Sequence, residues 1–331
     1  MPLDQTQMKK IAFFIVALFF TLKALAQTGV TIDPSLTESP VTAKTLSGSI
    51  SGSLVIPQNV SGKIPVVLII GDAGSTDRDG NNANEGIAGN TYKLLANELG
   101  KKGIATLRYD KRLVGQSVSS TKESQLRIDD YSDDAVVLIN LLNDDQRFSK
   151  IILFGHGQGS LVSMMAMIEE PVKAYISAEG ASEQEDKILT DRLKSKPRFI
   201  QDEFKTILDS MRKGKTTDNI DPALYSIARP SIQTFVMSWC RLVPLKGIKK
   251  VKLPTLIIQG TTDLQNTPDN ADKLKKAKSD GVLLMVNGMN HILKNAPADP
   301  EQNQATFSKP DLPLNPEMVT GIVDFVNNKV K

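Results

Sequence analysis

The sequence predicts an α/β protein: a mostly parallel, doubly wound sheet with helices on both faces and a helical insertion late in the chain. Three observations predict it. From Ile64 onward, short apolar runs alternate with amphipathic segments of helical period. The apolar runs are unbroken by polar residues, as in strands buried on both faces. Three loops that follow such runs hold the chemically informative residues, at the strand ends where open α/β sheets place their sites.

The first residues stand apart from that rhythm. Lys9 and Lys10 precede the apolar run from Ile11 to Phe20, and Ala24-Leu25-Ala26 supplies small residues at cleavage spacing. Residues 1–26 therefore read as a secretory signal peptide cut before Gln27, with Met8-Lys9-Lys10 as its better opening. The expected location is outside the cytoplasm, periplasmic or secreted. The apolar run is too short to favour a membrane span, and no cysteine follows the cut to carry a lipid, so no stable membrane anchor is expected after signal removal.

The full chain has 331 residues and a net charge of +3. Loss of residues 1–26 brings that to about +1. With no basic stripe, nucleic acid is not an expected partner. Cys240 is the only cysteine, so no internal disulfide is available and the core must carry the stability.

Residues 27–331 are expected to form one domain. "LSGSISGSLVIP" reads as one or two edge strands. "IPVVLIIG" is a buried strand, "TYKLLANELGKKG" an amphipathic helix closed by Gly103, and "IATLRYD" a strand. "DDYSDDAVVLINLLNDDQRF" has helical spacing after an acidic first turn. "IILFGH", "QGSLVSMMAMIEE" and "VKAYISAEG" read as strand, helix, strand. Between about residues 181 and 252 only helices are expected, forming a cap above the sheet's C-terminal edge. The βα rhythm returns with "LPTLIIQG", "NADKLKKAK", "GVLLMVNG" and "EMVTGIVDFVNNKV".

The first informative loop is "FGHGQGS", which has the outline of a G-x-S-x-G nucleophile elbow with Gly157 in place of the serine. Its strand-turn-helix form aims the Gln158 backbone N–H above the apex. The second is "IIQGTTD", ending in Asp263, and the third "VNGMNH", ending in His291. The order apex, acid, histidine is that of the α/β-hydrolases. Neighbouring strand ends would set Asp263 against His291, and His291 toward the apex.

From about Leu46 to the C-terminus the chain resembles bacterial α/β-hydrolases of the exported serine-aminopeptidase-like and esterase type. "GDAGSTDRDGNN" is similar to their oxyanion-loop pattern G-S-G-P-T-D-R-D-G-N, and "RYDKRLVGQS" to R-Y-D-K-R-G-x-G-x-S. The resemblance implies an α/β-hydrolase fold. It also implies oxyanion donors at the N–H groups of Ala73 and Gln158, Asp263 as acid and His291 as base. The expected ligand is a small-molecule ester or a short peptide, with no metal and no organic cofactor. Leu113 stands where the pattern has glycine.

The other polar residues have plainer readings. His156 reads as a packing or oxyanion-loop neighbour, and Glu179 as a weaker alternative to Asp263. Asp77, Arg78 and Asp79 read as a hydrogen-bonded turn rather than a cation loop. Met164, Met165 and Met167 read as core, and Ser160 as pointing away from the reaction centre.

A glycine at the apex relaxes a turn that strains other residues while deleting the attacking oxygen. Removing such a serine typically costs about 10⁶ in turnover. Two readings follow. In one, the protein is an esterase-like or peptidase-like hydrolase working through a water that fills the space at Gly157 and is activated by His291. In the other, it is a pseudoenzyme that binds an acyl, ester or peptide ligand under the cap. On either, Gly157→Ser is expected to restore a nucleophile.

Overall fold

A computed structural model describes residues 30–330; the expected signal peptide lies outside the described residues. Residues Ile32–Lys331 form one unit by their own contacts. Its nine strands, all in one sheet, are β1 (Leu36–Thr45), β2 (Gly48–Pro57), β3 (Ile64–Ile70), β4 (Ala105–Tyr109), the two-residue β5 (Val118–Ser119), β6 (Phe148–His156), β7 (Ala174–Ala178), β8 (Thr255–Gly260) and β9 (Val282–Val286). The order is β1-β2-β4-β3-β6-β7-β8-β9, with β5 on β2. The β1–β2 and β2–β4 pairs are antiparallel, and from β4 onward every pair is parallel.

The helices are α1 (Thr91–Gly100), α2 (Ile128–Asp144), α3 (Gln158–Glu169), α4 (Glu185–Arg192), α5 (Arg198–Arg212), α6 (Tyr225–Ala228), α7 (Gln233–Cys240), α8 (Pro244–Lys250), α9 (Pro268–Ala277), α10 (Pro300–Gln304) and α11 (Pro316–Asn328). Strand β6 shows why the sheet is covered twice. Ile151 and Leu153 face the core shared with α2, α3 and α8, while Ile152 and Phe154 face the core shared with α1 and α11. Side chains alternate along a strand, so an apolar run buried throughout requires a helical layer on each side. Each such fully buried side chain contributes about 1.5–3 kcal/mol.

Helices α4 to α7 build a separate small core. Along α5, Ile200, Phe204, Ile207, Leu208 and Met211 recur at helical spacing and meet Leu189, Leu224 and Val236. Pro197 and Pro230 break this region into short pieces. Helix α8 belongs to the sheet instead, for Ile248 and Val251 pack in its core. Among the described residues no helix is long and apolar enough to cross a membrane.

The loop after β4 shows the consequence of Leu113. Its φ is +65°, the left-handed region, and the side chain is exposed. A non-glycine residue there costs about 1–2 kcal/mol, partly offset in glycine by its greater unfolded-state freedom. Leu113→Gly is therefore expected to raise the unfolding free energy by about 0.5–1 kcal/mol, read as a higher urea midpoint at unchanged slope.

Candidate functional site

The elbow forms where β6 runs into α3. Gly157 has φ +51° and ψ −116°, a conformation that glycine adopts without a side-chain penalty. A Cβ on Gly159 would lie 2.0 Å from the Ile70 carbonyl oxygen, so close packing of α3 on β3 demands glycine there too.

Strand ends bring the predicted acid and base together. Asp263 follows β8 and His291 follows β9, and His291 Nδ1 meets Asp263 Oδ2 at 2.8 Å. Both are buried. Asp263 Oδ1 also accepts the N–H groups of Gln265 at 2.6 Å and Asn266 at 3.1 Å, which fixes the carboxylate. Glu179 has another place: it accepts the Gly260 N–H at 2.8 Å and a hydrogen bond from the Gln259 side chain. Burial and the neighbouring Asp263 charge push its carboxyl well up.

The space above Gly157 is not open. It holds the carboxylate of Asp72, from the loop after β3. Asp72 Oδ2 meets His291 Nε2 at 2.8 Å, and Oδ1 accepts the Gln158 N–H at 2.8 Å. A Cβ built on Gly157 would stand 1.9 Å from Asp72 Oδ1. The room expected for a water is thus taken by an acid, and the Gln158 donor expected for an oxyanion is already engaged. Ala73, the other expected donor, follows Asp72 in the same loop and lines the cavity beside it.

Charge explains why the arrangement holds. Burial alone would depress His291, but Asp263 and Asp72 on its two nitrogens raise it to about 10, so it is an imidazolium at neutral pH. Burial would raise Asp72, yet the bond and charge of His291 and the Gln158 N–H keep its carboxyl well below the usual carboxylate range. Lys111, buried behind this loop, donates to the Asp72 carbonyl at 2.8 Å and to Gln158 Oε1 at 3.0 Å.

His156 is a packing neighbour with a defined task. Its Nε2 donates to the His291 carbonyl at 2.7 Å, and its Nδ1 accepts from the Tyr92 hydroxyl at 2.9 Å. Tyr92 in turn accepts the Asp72 N–H at 2.9 Å. Burial and the His291 charge push His156 down to about 4, which keeps it neutral. Ser160 donates to the Gly155 carbonyl at 2.8 Å, so its hydroxyl is spent on the backbone. Asp77 Oδ1 accepts the N–H groups of Asp79 and Asn81, and Arg78 pairs with Asp110 at 2.6 Å, a structural turn.

Asp72 is the site residue that sequence reasoning passed over. The signal was present in the resembling loop pattern. Aligned on Thr76 to Asn81, G-S-G-P-T-D-R-D-G-N has glycine where this chain has Asp72. The Asp72 carboxylate lies where a side chain on residue 157 would otherwise stand.

A cavity of about 780 Å³ opens from Asp72, Gly157 and His291 toward the cap, where Leu189, Val236 and Trp239 bound it. Among the described residues no cluster of three or more histidine, cysteine or acidic side chains could hold a metal ion.

Comparison with solved structures fits this topology. Est1E from Butyrivibrio proteoclasticus aligns with a TM-score of 0.54 at 16% identity, over 88% of this chain and 98% of that one. A bromoperoxidase from Bacillus anthracis aligns at 0.53 and 18%, over 88% and 100%. The fold is that of the α/β-hydrolases. A hypothetical protein from Pseudomonas aeruginosa, with a TM-score of 0.59 at 15% identity, covers 85% of this α/β-hydrolase-fold chain and 95% of its own. Residues 87–227 match the family model described as serine aminopeptidase, S33. That stretch includes the elbow and stops short of Asp263 and His291. Esterase EstD of Thermotoga maritima is 23% identical over 268 residues, 79% of this chain and 61% of that esterase.

Proposed function

We propose that this α/β-hydrolase-fold protein binds a small ester, acyl or short-peptide ligand beneath its helical cap and does not form an acyl-enzyme. The observation that carries the reading is the Asp72 carboxylate in the nucleophile's place, holding both His291 Nε2 and the Gln158 N–H. Acyl transfer needs an attacking oxygen with its proton on a neutral base, and free donors for the oxyanion. Here the hydroxyl is absent, the base is already protonated, and one donor faces a full negative charge. The same three features weigh against a His291-activated water, which needs room at Gly157 and a neutral imidazole.

The names of the similar proteins support an ester or amide as the kind of ligand, and the basic-then-apolar N-terminal stretch supports action outside the cytoplasm. The purified protein is expected to resist fluorophosphonate labelling and to hydrolyse p-nitrophenyl butyrate no faster than about 10⁻⁵ of a serine esterase of this fold. Brisk turnover that His291→Ala abolishes would refute the binding reading.

A further inference from the structure

Of the carboxylates that line the cavity outside the Asp72–His291–Asp263 line, Glu185 is the most buried. Glu185 opens α4, is 6% exposed, and lines the cavity. Among the described residues its carboxylate has no hydrogen bond and no ion pair. Other buried charges in this part of the molecule are matched: Arg112 with Asp134, His291 with two acids, Lys111 with two oxygens. A carboxyl group that faces a cavity and makes no hydrogen bond within the protein is free to take a partner that arrives from outside.

The walls add the rest. Tyr131 and Phe235 pack as tilted rings with centroids 5.2 Å apart, Phe235 and Trp239 likewise with centroids 6.0 Å apart, and all three line the same cavity. Aromatic faces attract cations and pack against apolar bodies. Glu85, Glu123 and Glu183 line the cavity as well, against Arg192 and Arg229, while Asp72 is paired with His291. We infer that the cavity takes a small organic cation, an apolar body ending in a protonated amine, with the ammonium on Glu185 and the body against Phe235 and Trp239. This rests on the reading that the cavity is a ligand site, and it specifies the ligand's charge. A ligand ending in a carboxylate would gain no ion pair from Glu185.

The titration of Glu185 supplies a signature. Burial, the largest influence, pushes it up to about 8, with Arg192 opposing and Asp72 and Asp186 adding. Also facing it are Arg192 and Asp186 on its own helix, Asp72 on the loop after β3, and Cys240 on α7, whose thiol is pushed up to about 12. Binding of an ammonium must therefore expel the Glu185 proton.

Calorimetry with three matched probes tests this: 2-phenylethylamine, 2-phenylethanol and 3-phenylpropionate. The amine is expected to bind at least about tenfold tighter than the alcohol, and the acid not at all. Amine affinity should rise between about pH 6 and 8 with proton release, then level off. E185Q should erase the amine's advantage and its pH dependence while melting no lower than wild type. Equal binding of amine and alcohol, a flat pH profile, no binding by any probe, or an amine preference that survives E185Q would each overturn the inference. Ester turnover, measured on the same sample, bears on the binding reading alone. Should E185Q fail to fold, the wild-type probe ratio and pH profile still decide.

Discussion

The double exchange Asp72→Gly with Gly157→Ser is expected to gain fluorophosphonate labelling and to raise p-nitrophenyl butyrate turnover at least about 10³-fold over wild type, with Gly157→Ser alone gaining far less. The sequence by itself suggests that the single exchange suffices. The carboxylate above Gly157 changes that expectation. A serine Cβ there would stand 1.9 Å from Asp72 Oδ1 at a φ of +51°. Asp72 would have to leave both His291 and the Gln158 N–H, a loss of two charge-assisted hydrogen bonds worth about 3 kcal/mol in stability. Its displaced charge would still hold a proton on His291. Removing Asp72 in the same molecule frees the donor, lowers the imidazole toward the range of a working base and makes room for the hydroxyl. Initial rates and labelling of a double variant with native circular dichroism provide the check. If that variant stays inert, Asp263 and His291 do not form an esterolytic frame.

The second large effect is on stability. His291→Gln is expected to cost about 3–5 kcal/mol near pH 6, and much less near pH 10. The sign follows from the raised pKa. A histidine held at about 10 when folded, against 6.5 ordinarily, contributes fully below 6.5, and that contribution is lost as pH rises through 10. Asp72 and Asp263 are lowered, so their contribution is present above the ordinary 3.8 and lost as pH falls below it. The gap between wild type and variant should therefore be widest between about pH 4 and 6.5. His156 runs oppositely, its contribution present above 6.5 and lost as pH falls toward 4, but it is common to both proteins and largely cancels in their difference. Urea titrations of the two proteins across pH would reveal the pattern. A constant gap would mean that His291 is not charged in the fold.

Apart from the two-residue β5, the sheet from β3 onward is legible in the sequence because strands covered on both faces leave largely apolar runs, such as those of Ile64–Ile70 and Thr255–Gly260. Strand β1 is not legible. It lies at the sheet edge, carries Pro40, and buries only Leu36 and Ala43 among its apolar residues, so neither helical nor strand period survives. In the site, Gly157, Asp263 and His291 can be placed from sequence because each follows a strand that can be seen. Asp72 follows such a strand as well, yet its position depends on space left by a residue far along the chain. Glu185 is harder still, since a cap helix declares its polar and apolar faces but not which cavity it borders. Pairings between loops are set by three-dimensional packing, and local pattern carries no record of them.

The close approach of Asp72 to Gly157 also constrains how this chain could have arisen. Serine at 157 with aspartate at 72 is the crowded combination, while glycine at both is the roomy one. Descent by one replacement at a time avoids collision only through the double-glycine form. A descent that began from serine at 157 and glycine at 72 would therefore have lost the hydroxyl before the carboxylate arrived.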